Sequence, residues 1–503
     1  MNRPAWLRDA VFYEIYPSSF CDSNGDGIGD INGIRQKLPY VKDLGCNALW
    51  LNPCFDSPFK DGGYDVRDYK LAAPRYGTNE DLYALFKEAH ALGIRVLLDL
   101  VPGHTSEEHP WFIESGKPEK NEYSDRYVWT DFWIKGTPGH PYIAGETPRN
   151  GAYMLNFFKC QPALNYGWAK VTEDWQTPVT GAAAKATRDA MADVMRFWLG
   201  KGCDGFRVDM ANSLVKGDDD DKSYTCALWK GLLNEMRAEF PEAAFVAEWG
   251  WPEQALCLAD FDMDFYLDHW DNGYHKLVRS DDAYLKGNDP AAFVKDYLKR
   301  YEASKEDGYI SFITGNHDTP RISWYLTDDQ LKLAYALLLT LPGVPFLYYG
   351  DEIGMRYLDC LPTKEGGYTR TGSRTPMQWA PEKNLGFSDA DPGRLYLPVD
   401  PAPDAPTAAA QESDPGSLLN TVKAVLRLRH AMPDLRADGS FAVLHAKKND
   451  PLLVYGRGSL TLAVNPSDKP VKTGLDGAPV FTIGTFEKGV LGPCSFAIME
   501  AKA

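Results

Sequence analysis

GFRVDMAN, residues 205–212, reads as a short buried strand that ends in an acid. Phe206 and Val208 alternate with Arg207 and Asp209, so a strand here puts the two charged side chains on one face. A cation and a carboxylate emerging together from an apolar run are costly to bury. Arg207 is expected to hold Asp209 ionised by lowering its pKa, which suits a carboxylate that attacks or stabilises positive charge. A structural ion pair at a strand end would read the same way. The rest of the chain has to separate the two.

Outward from this stretch, apolar runs of the same kind recur. They are VFYEIYP (11–17), NALWLNP (47–53), IRVLLDLVP (94–102), AFVAEW (244–249), FDMDFY (261–266), YISFITGNHD (309–318) and VPFLYYGDE (344–352). Counting GFRVDM (205–210), there are eight, and near-continuous apolar strands belong to a parallel sheet covered on both faces. Helical patterns intervene. Thr78 can cap NEDLYALFKEAHALG, where Leu82, Leu85, Phe86 and Ala89 repeat at helical spacing, and similar periodicity appears in 184–200, 227–239, 327–340 and 417–430. Strands alternating with helices predict an α/β fold, a (β/α)8 TIM barrel. The alternative, an open doubly wound sheet, lacks a GxGxxG after its first strand.

Two connections are too long for plain loops. The stretch after the third strand is rich in Pro, Gly, Trp and Tyr, and predicts an inserted domain over 104–168. From 436 the pattern turns to short alternating strands (FAVLHA, LLVYGRG, LTLAVNPS, PVFTI, FAIME), predicting a C-terminal antiparallel β domain over 436–503. The barrel then comprises 1–103 and 169–435.

The 503 residues carry a formal net charge of −17 without a Lys/Arg block, which argues against nucleic acid or an anionic membrane surface as partner. Fourteen Trp, many beside polar residues, suit sugar rings as well as cores. Nine dispersed Cys without a CxxC pair read as free thiols. With no signal-peptide pattern and no apolar run of spanning length, a cytoplasmic location is expected. Oligomeric state is not legible.

In a barrel, chemistry gathers at the C-terminal strand ends. Asp99, Asp209, Glu248 and Asp318 all fall there, with His104 and His317. One such acid is usually a cap or an ion pair, but several at one face repel one another and ask for a function. DLVPGH (99–104), GFRVD (205–209), FVAEW (245–249) and GNHD (315–318) resemble the motif regions of the α-amylase family, glycoside hydrolase family 13. CNALWLNP (46–53), QPALN (161–165) and GVPFLYYGDE (343–352) extend the resemblance, in the family's order, from about residue 11 to 380.

The resemblance implies a retaining glycosidase, with Asp209 as nucleophile, Glu248 as general acid/base and Asp318 as transition-state stabiliser. FVA before Glu248 and Trp249 after it would desolvate the acid/base and raise its pKa. The resemblance also puts His104, Arg207 and His317 around the first sugar, with Asp99 orienting the arginine. KDGGYD (60–65) and TGSRTPMQW (371–379) resemble the oligo-1,6-glucosidase and trehalose synthase branches. There an aspartate and an arginine close the pocket, here Asp61 and Arg374, with Tyr64 stacking on the ring. A plain turn is the other reading of Asp61–Gly62–Gly63.

DSNGDGIGD (22–30) offers oxygens at Asp22, Asn24, Asp26, the Ile28 carbonyl and Asp30, like the start of an EF-hand loop. The related glucosidases imply a structural Ca²⁺ or Mg²⁺ there, and an Asx-rich turn without metal is the alternative. Gly103 stands where most members have a calcium-ligating Asn, Ala163 where the branch has Asp, and Met210 follows the nucleophile, so neither that calcium nor a linkage preference carries over. Trp249 and Trp251 could shape the acceptor side. The expected partner is a short α-glucoside, maltose or isomaltose in type, that is hydrolysed. Glucosyl transfer or isomerisation, as in trehalose synthases or sucrose-acting enzymes, or a maltodextrin-acting amylase is the alternative, and a non-catalytic sugar-binding relative the minor one.

Overall fold

A computed structural model describes residues 3–267 and 272–500. All eight apolar runs form strands: β1 (Phe12–Ile15), β2 (Ala48–Leu51), β3 (Arg95–Leu100), β4 (Gly205–Val208), β5 (Ala244–Ala247), β6 (Met263–Phe265), β7 (Tyr309–Ser311) and β8 (Phe346–Tyr348). They pair in parallel in the order β7-β6-β5-β4-β3-β2-β1-β8. A parallel bridge from Ile313 to Phe346 joins the two ends and closes the barrel. β4 starts at a glycine of necessity: Gly205 has φ +147°, and a Cβ there would lie 1.8 Å from the Ala244 carbonyl oxygen.

Period-2 alternation sorts the side chains. Phe12, Trp50, Leu97, Val246, Phe265 and Phe346 fill the lumen, while the opposite strand faces pack on the helices. Those helices are α1 (Ile31–Leu44), α2 (Asn79–Ala91), α3 (Ala182–Gly200), α4 (Ser223–Glu239), α5 (Ala291–Ser304), α6 (Asp328–Thr340) and α7 (Leu418–Ala431). Thr78 closes a capping box with Asp81 at the start of α2, and Thr327 does so with Gln330 at α6. Two helices escaped the periodicity. α1 contains Gly33 and Pro39, both poor helix formers, and the buried stripe of α5 is broken by Arg300.

Between β3 and α3 the chain forms a short helix, Pro110–Ser115, and a hairpin pairing Tyr142–Ala144 with Ala152–Met154. At the other end β9 (Ala442–Ala446), β10 (Leu453–Arg457), β11 (Leu460–Asn465), β12 (Phe481–Ile483) and β13 (Ser495–Glu500) form an antiparallel sheet ordered β9-β10-β11-β13-β12. Tyr455 of β10 meets Thr340 of α6 hydroxyl to hydroxyl at 2.6 Å, and buried Arg429 of α7 donates to the Leu339 and Gly343 carbonyls, tying this sheet and α7 to the barrel. All nine cysteines are free. Among the described residues, no helix is long and apolar enough to cross a membrane.

Candidate active site

The alternation that fills the lumen with apolar rings brings charge to its C-terminal mouth. Arg207 of β4 is buried there, and its Nη1 donates to Asp99 Oδ1 at 2.8 Å and to Asp209 Oδ1 at 3.0 Å. Its Nη2 lies 3.0 Å from Glu248 Oε2, which also accepts the Met210 N–H at 2.9 Å. One guanidinium therefore bridges carboxylates from three successive strands. Met210 holds a left-handed backbone (φ +41°), a costly conformation for a side chain of its size.

Burial pushes the Asp209 carboxyl well above the ordinary aspartate range; Glu248 adds to the rise and Arg207 opposes it. This corrects the expectation that Arg207 alone would lower it, because several carboxylates share the one cation. Trp249 does not supply the apolar wall expected for Glu248. Its ring is buried against Phe261, with Nε1 donating to Gln254 at 3.0 Å, and the Glu248 side chain remains 22% exposed.

Asp318 is held from several sides. His317 Nε2 stands 3.1 Å from its Oδ2, and Arg370 Nη1 and Arg374 Nη2 each donate to its Oδ1 at 2.9 Å. Burial would raise its pKa, but His317, Arg374 and Arg370 hold it well below the aspartate range. Burial would likewise lower the His317 pKa, yet Asp318 and Glu14 raise it to about 9. His104 is the opposite case, lowered by burial to about 4. Asn156 Nδ2 faces its Nδ1 at 3.0 Å and the Tyr64 carbonyl its Nε2 at 3.1 Å, which assigns the neutral Nε2–H tautomer.

Tyr64 lines the cavity, stacked on His317 with centroids 5.2 Å apart, and its hydroxyl donates to Asp99 at 2.9 Å. Asp61 accepts from Gln161 at 2.8 Å and pairs with Arg370, not with Arg374, at 3.1 Å. The closing arginine expected from the sequence is thus corrected to Arg370. Arg374 is buried behind Asp318, over the Tyr16 ring, and donates to the His317 carbonyl. Glu14, Asn52, Arg370 and the aromatic pair Phe157–Phe158 were all missed. Of these, the Phe–Phe pair just before QPALN carried a local signal.

These side chains enclose a cavity of about 490 Å³. Asp209, Glu248 and Asp318 line it together with Asp61, Tyr64, His104 and Arg370, and the exposed rings of Phe157 and Tyr368 mark its mouth.

In the 22–30 loop, where the cation is expected, the side-chain oxygens turn to the loop's own backbone and to neighbouring hydroxyls. Both Asp22 oxygens are taken up by the N–H groups of Asn24, Gly25 and Gly27 and by the Ser388 hydroxyl. Asn24 and Asp26 accept N–H groups two residues on, and Asp30 caps α1 through the Gly33 N–H while holding Ser23. Among the described residues no group of three or more His, Cys, Asp or Glu is arranged to hold a metal ion.

Comparison with known proteins agrees with this barrel. The catalytic domain of alpha amylase matches residues 14–438. A trehalose synthase/amylase of Mycobacterium tuberculosis is 34% identical, over 92% of this chain and 82% of its own. An oligo-1,6-glucosidase of Heyndrickxia coagulans is 32% identical over 93% of both chains. The crystal structure of an isomaltulose synthase mutant from Erwinia rhapontici in complex with D-glucose superposes with a TM-score of 0.82 at 26% identity, covering 99% of this chain and all of that one. With its barrel, its carboxylates and a match over most of its length, the chain belongs to the alpha-amylase family of glycosidases, glycoside hydrolase family 13.

Proposed function

We propose that the chain is a retaining α-glucosidase that removes single glucosyl units from short α-glucosides, maltose or isomaltose in type, through a covalent glucosyl-enzyme. The observation that carries this is the blind end of the cavity, where Arg370 ties Asp61 to Asp318 beside the carboxylates bridged by Arg207. A glucan chain that ends against this closure presents its terminal sugar to the carboxylates.

In the first step Glu248 gives its proton to the glycosidic oxygen while an Asp209 oxygen attacks the anomeric carbon. The old C–O bond breaks, the aglycone leaves as an alcohol, and a glucosyl ester remains. Water, deprotonated by Glu248, then attacks the same carbon and frees the Asp209 carboxylate. Two inversions retain the anomeric configuration. This sequence of steps needs the proton on Glu248 and an ionised Asp209 at the start. Asp318, kept anionic by its three cationic neighbours, grips sugar hydroxyls more tightly as positive charge develops on the ring.

A second reading is glucosyl transfer or isomerisation through the same intermediate. The exposed rings of Phe157 and Tyr368 at the mouth favour it, since they offer an acceptor sugar a face to stack on. Proton NMR of the protein with maltose separates the two: α-glucose appearing first marks retaining hydrolysis, and new trehalose or oligosaccharide signals mark transfer. Asp209→Asn should cut turnover on the order of a thousandfold or more with sugar binding retained. Undiminished activity in that variant would remove Asp209 from the nucleophile's role.

A further inference from the structure

Glu14 lies on β1, fully buried, and the chemistry described so far does not use it. Its one ion-pair partner among the described residues is His317, at 2.9 Å from Oε1 to Nδ1. Asn52 Nδ2 donates to the same oxygen at 3.1 Å, while Oε2 has no hydrogen-bond partner among the described residues. A carboxylate so placed is expensive unless its charge is matched.

The other side of the ring completes the argument. His317 Nε2 faces Asp318 Oδ2 at 3.1 Å and Tyr64 Oη at 2.7 Å. The Tyr64 hydrogen is committed to Asp99, so its oxygen is an acceptor toward the ring. Nε2 therefore faces acceptors, while Nδ1 faces the Glu14 oxygen at 2.9 Å and the Asn52 amide nitrogen at 3.0 Å. With the Asn52 amide donating to Glu14 Oε1, both ring nitrogens are left to donate, and a neutral imidazole has only one N–H. Arg374 reaches the His317 backbone carbonyl rather than the ring, and Arg207 is directed to Asp99, Asp209 and Glu248. The charges closest to the ring are thus two carboxylates.

We propose that Glu14 is a positioning residue: its carboxylate holds His317 as an imidazolium, and the second N–H of that ring fixes Asp318 against the sugar. The proposal rests on the glucosidase reading for its kinetic consequence, but not for the protonation itself. The raised pKa of His317 agrees with it; burial also raises the Glu14 carboxyl, and His317 and Asn52 oppose that rise. Without Glu14, Asp318 would keep its two arginines and lose the cation that contacts its other oxygen.

The test is Glu14→Gln, which keeps the shape and one acceptor oxygen but removes the charge. Long-range ¹⁵N–¹H spectra, with the His317 signals identified by their loss in His317→Gln, read the ring directly and need no substrate. At pH 7.5 the wild type should show both ring nitrogens protonated, and Glu14→Gln should show the neutral ring. In parallel, the alkaline limb of kcat/KM for a chromogenic α-glucoside should fall by at least about one pH unit, toward the ordinary histidine range. A neutral His317 in the wild type, with the proton on Glu14, overturns the proposal even if the variant does not fold. An unmoved limb together with an unmoved ring titration overturns it as well. If no α-glucoside is turned over while the spectra behave as expected, the glucosidase reading fails and the protonation assignment stands.

Discussion

Two arginines four residues apart, Arg370 and Arg374, show how finely a site can divide labour. The turn Tyr368–Ser373 folds both onto Asp318, but only Arg370 reaches Asp61 and the cavity. Arg374 is 1% exposed and shares its charge between Asp318 and a backbone carbonyl. If Arg370 closes the blind end, Arg370→Met should cost about 2 kcal/mol in kcat/KM for maltose, some 30-fold, through the loss of charged hydrogen bonds. Product analysis should then show cuts more than one glucose unit from the end of longer malto-oligosaccharides. Unchanged kinetics and products would mean that another group delimits the site. The motif TGSRTPMQW pointed to Arg374 because sequence similarity names the neighbourhood of a charge and says nothing of which way it points. The cluster Asp99, His104, Arg207, Asp209, Glu248, His317 and Asp318 was legible for a firmer reason. Each residue sits on or just beyond a barrel strand end, where the backbone dictates direction.

At the scale of elements, the loop 22–30 and the helix after it form one unit. Asp30 is the N-cap of α1, its carboxylate accepting from the Gly33 N–H at 2.7 Å and from the Ser23 hydroxyl at 2.7 Å. Asp30→Ala should therefore destabilise the protein by about 1 kcal/mol, as measured by urea denaturation, with or without a chelator. EDTA should leave the wild-type Tm unchanged. A Tm that falls with EDTA and recovers with calcium would show that the loop's oxygens turn from backbone N–H groups to an ion. Asx turns and EF-hand-like loops share a sequence signature because both use short polar side chains beside glycines, so the residues alone could not separate them. α1 itself was hidden by Gly33 and Pro39, and its apolar face only gains meaning once it packs on the barrel.

At the scale of the whole molecule, stability should depend on pH through Glu352, just beyond β8. It is fully buried, with Tyr13 and Tyr40 donating to Oε1 at 2.8 and 2.7 Å and no partner for Oε2 among the described residues. Burial raises its pKa to about 7, against the lowering effect of the two tyrosines. The native state therefore keeps a proton that the unfolded chain has lost, and stability falls as pH rises from about 4.3 through 7. Glu352→Gln removes that dependence. Its stability relative to wild type should improve between pH 5 and pH 8 by up to about 3 kcal/mol in urea denaturation, whatever its offset at pH 5. A constant offset would mean that Glu352 does not titrate in the native state. By itself the sequence determined the strand order, the barrel, its two additions and the acids at its mouth, because strand period, helix period and motif spacing are local properties of the chain. Only the tertiary structure decided which arginine faces the cavity, which carboxyl keeps a proton, and that Glu14 reaches His317 across 303 positions. Charge and protonation depend on burial and on neighbours brought in from distant strands, and no local pattern encodes them.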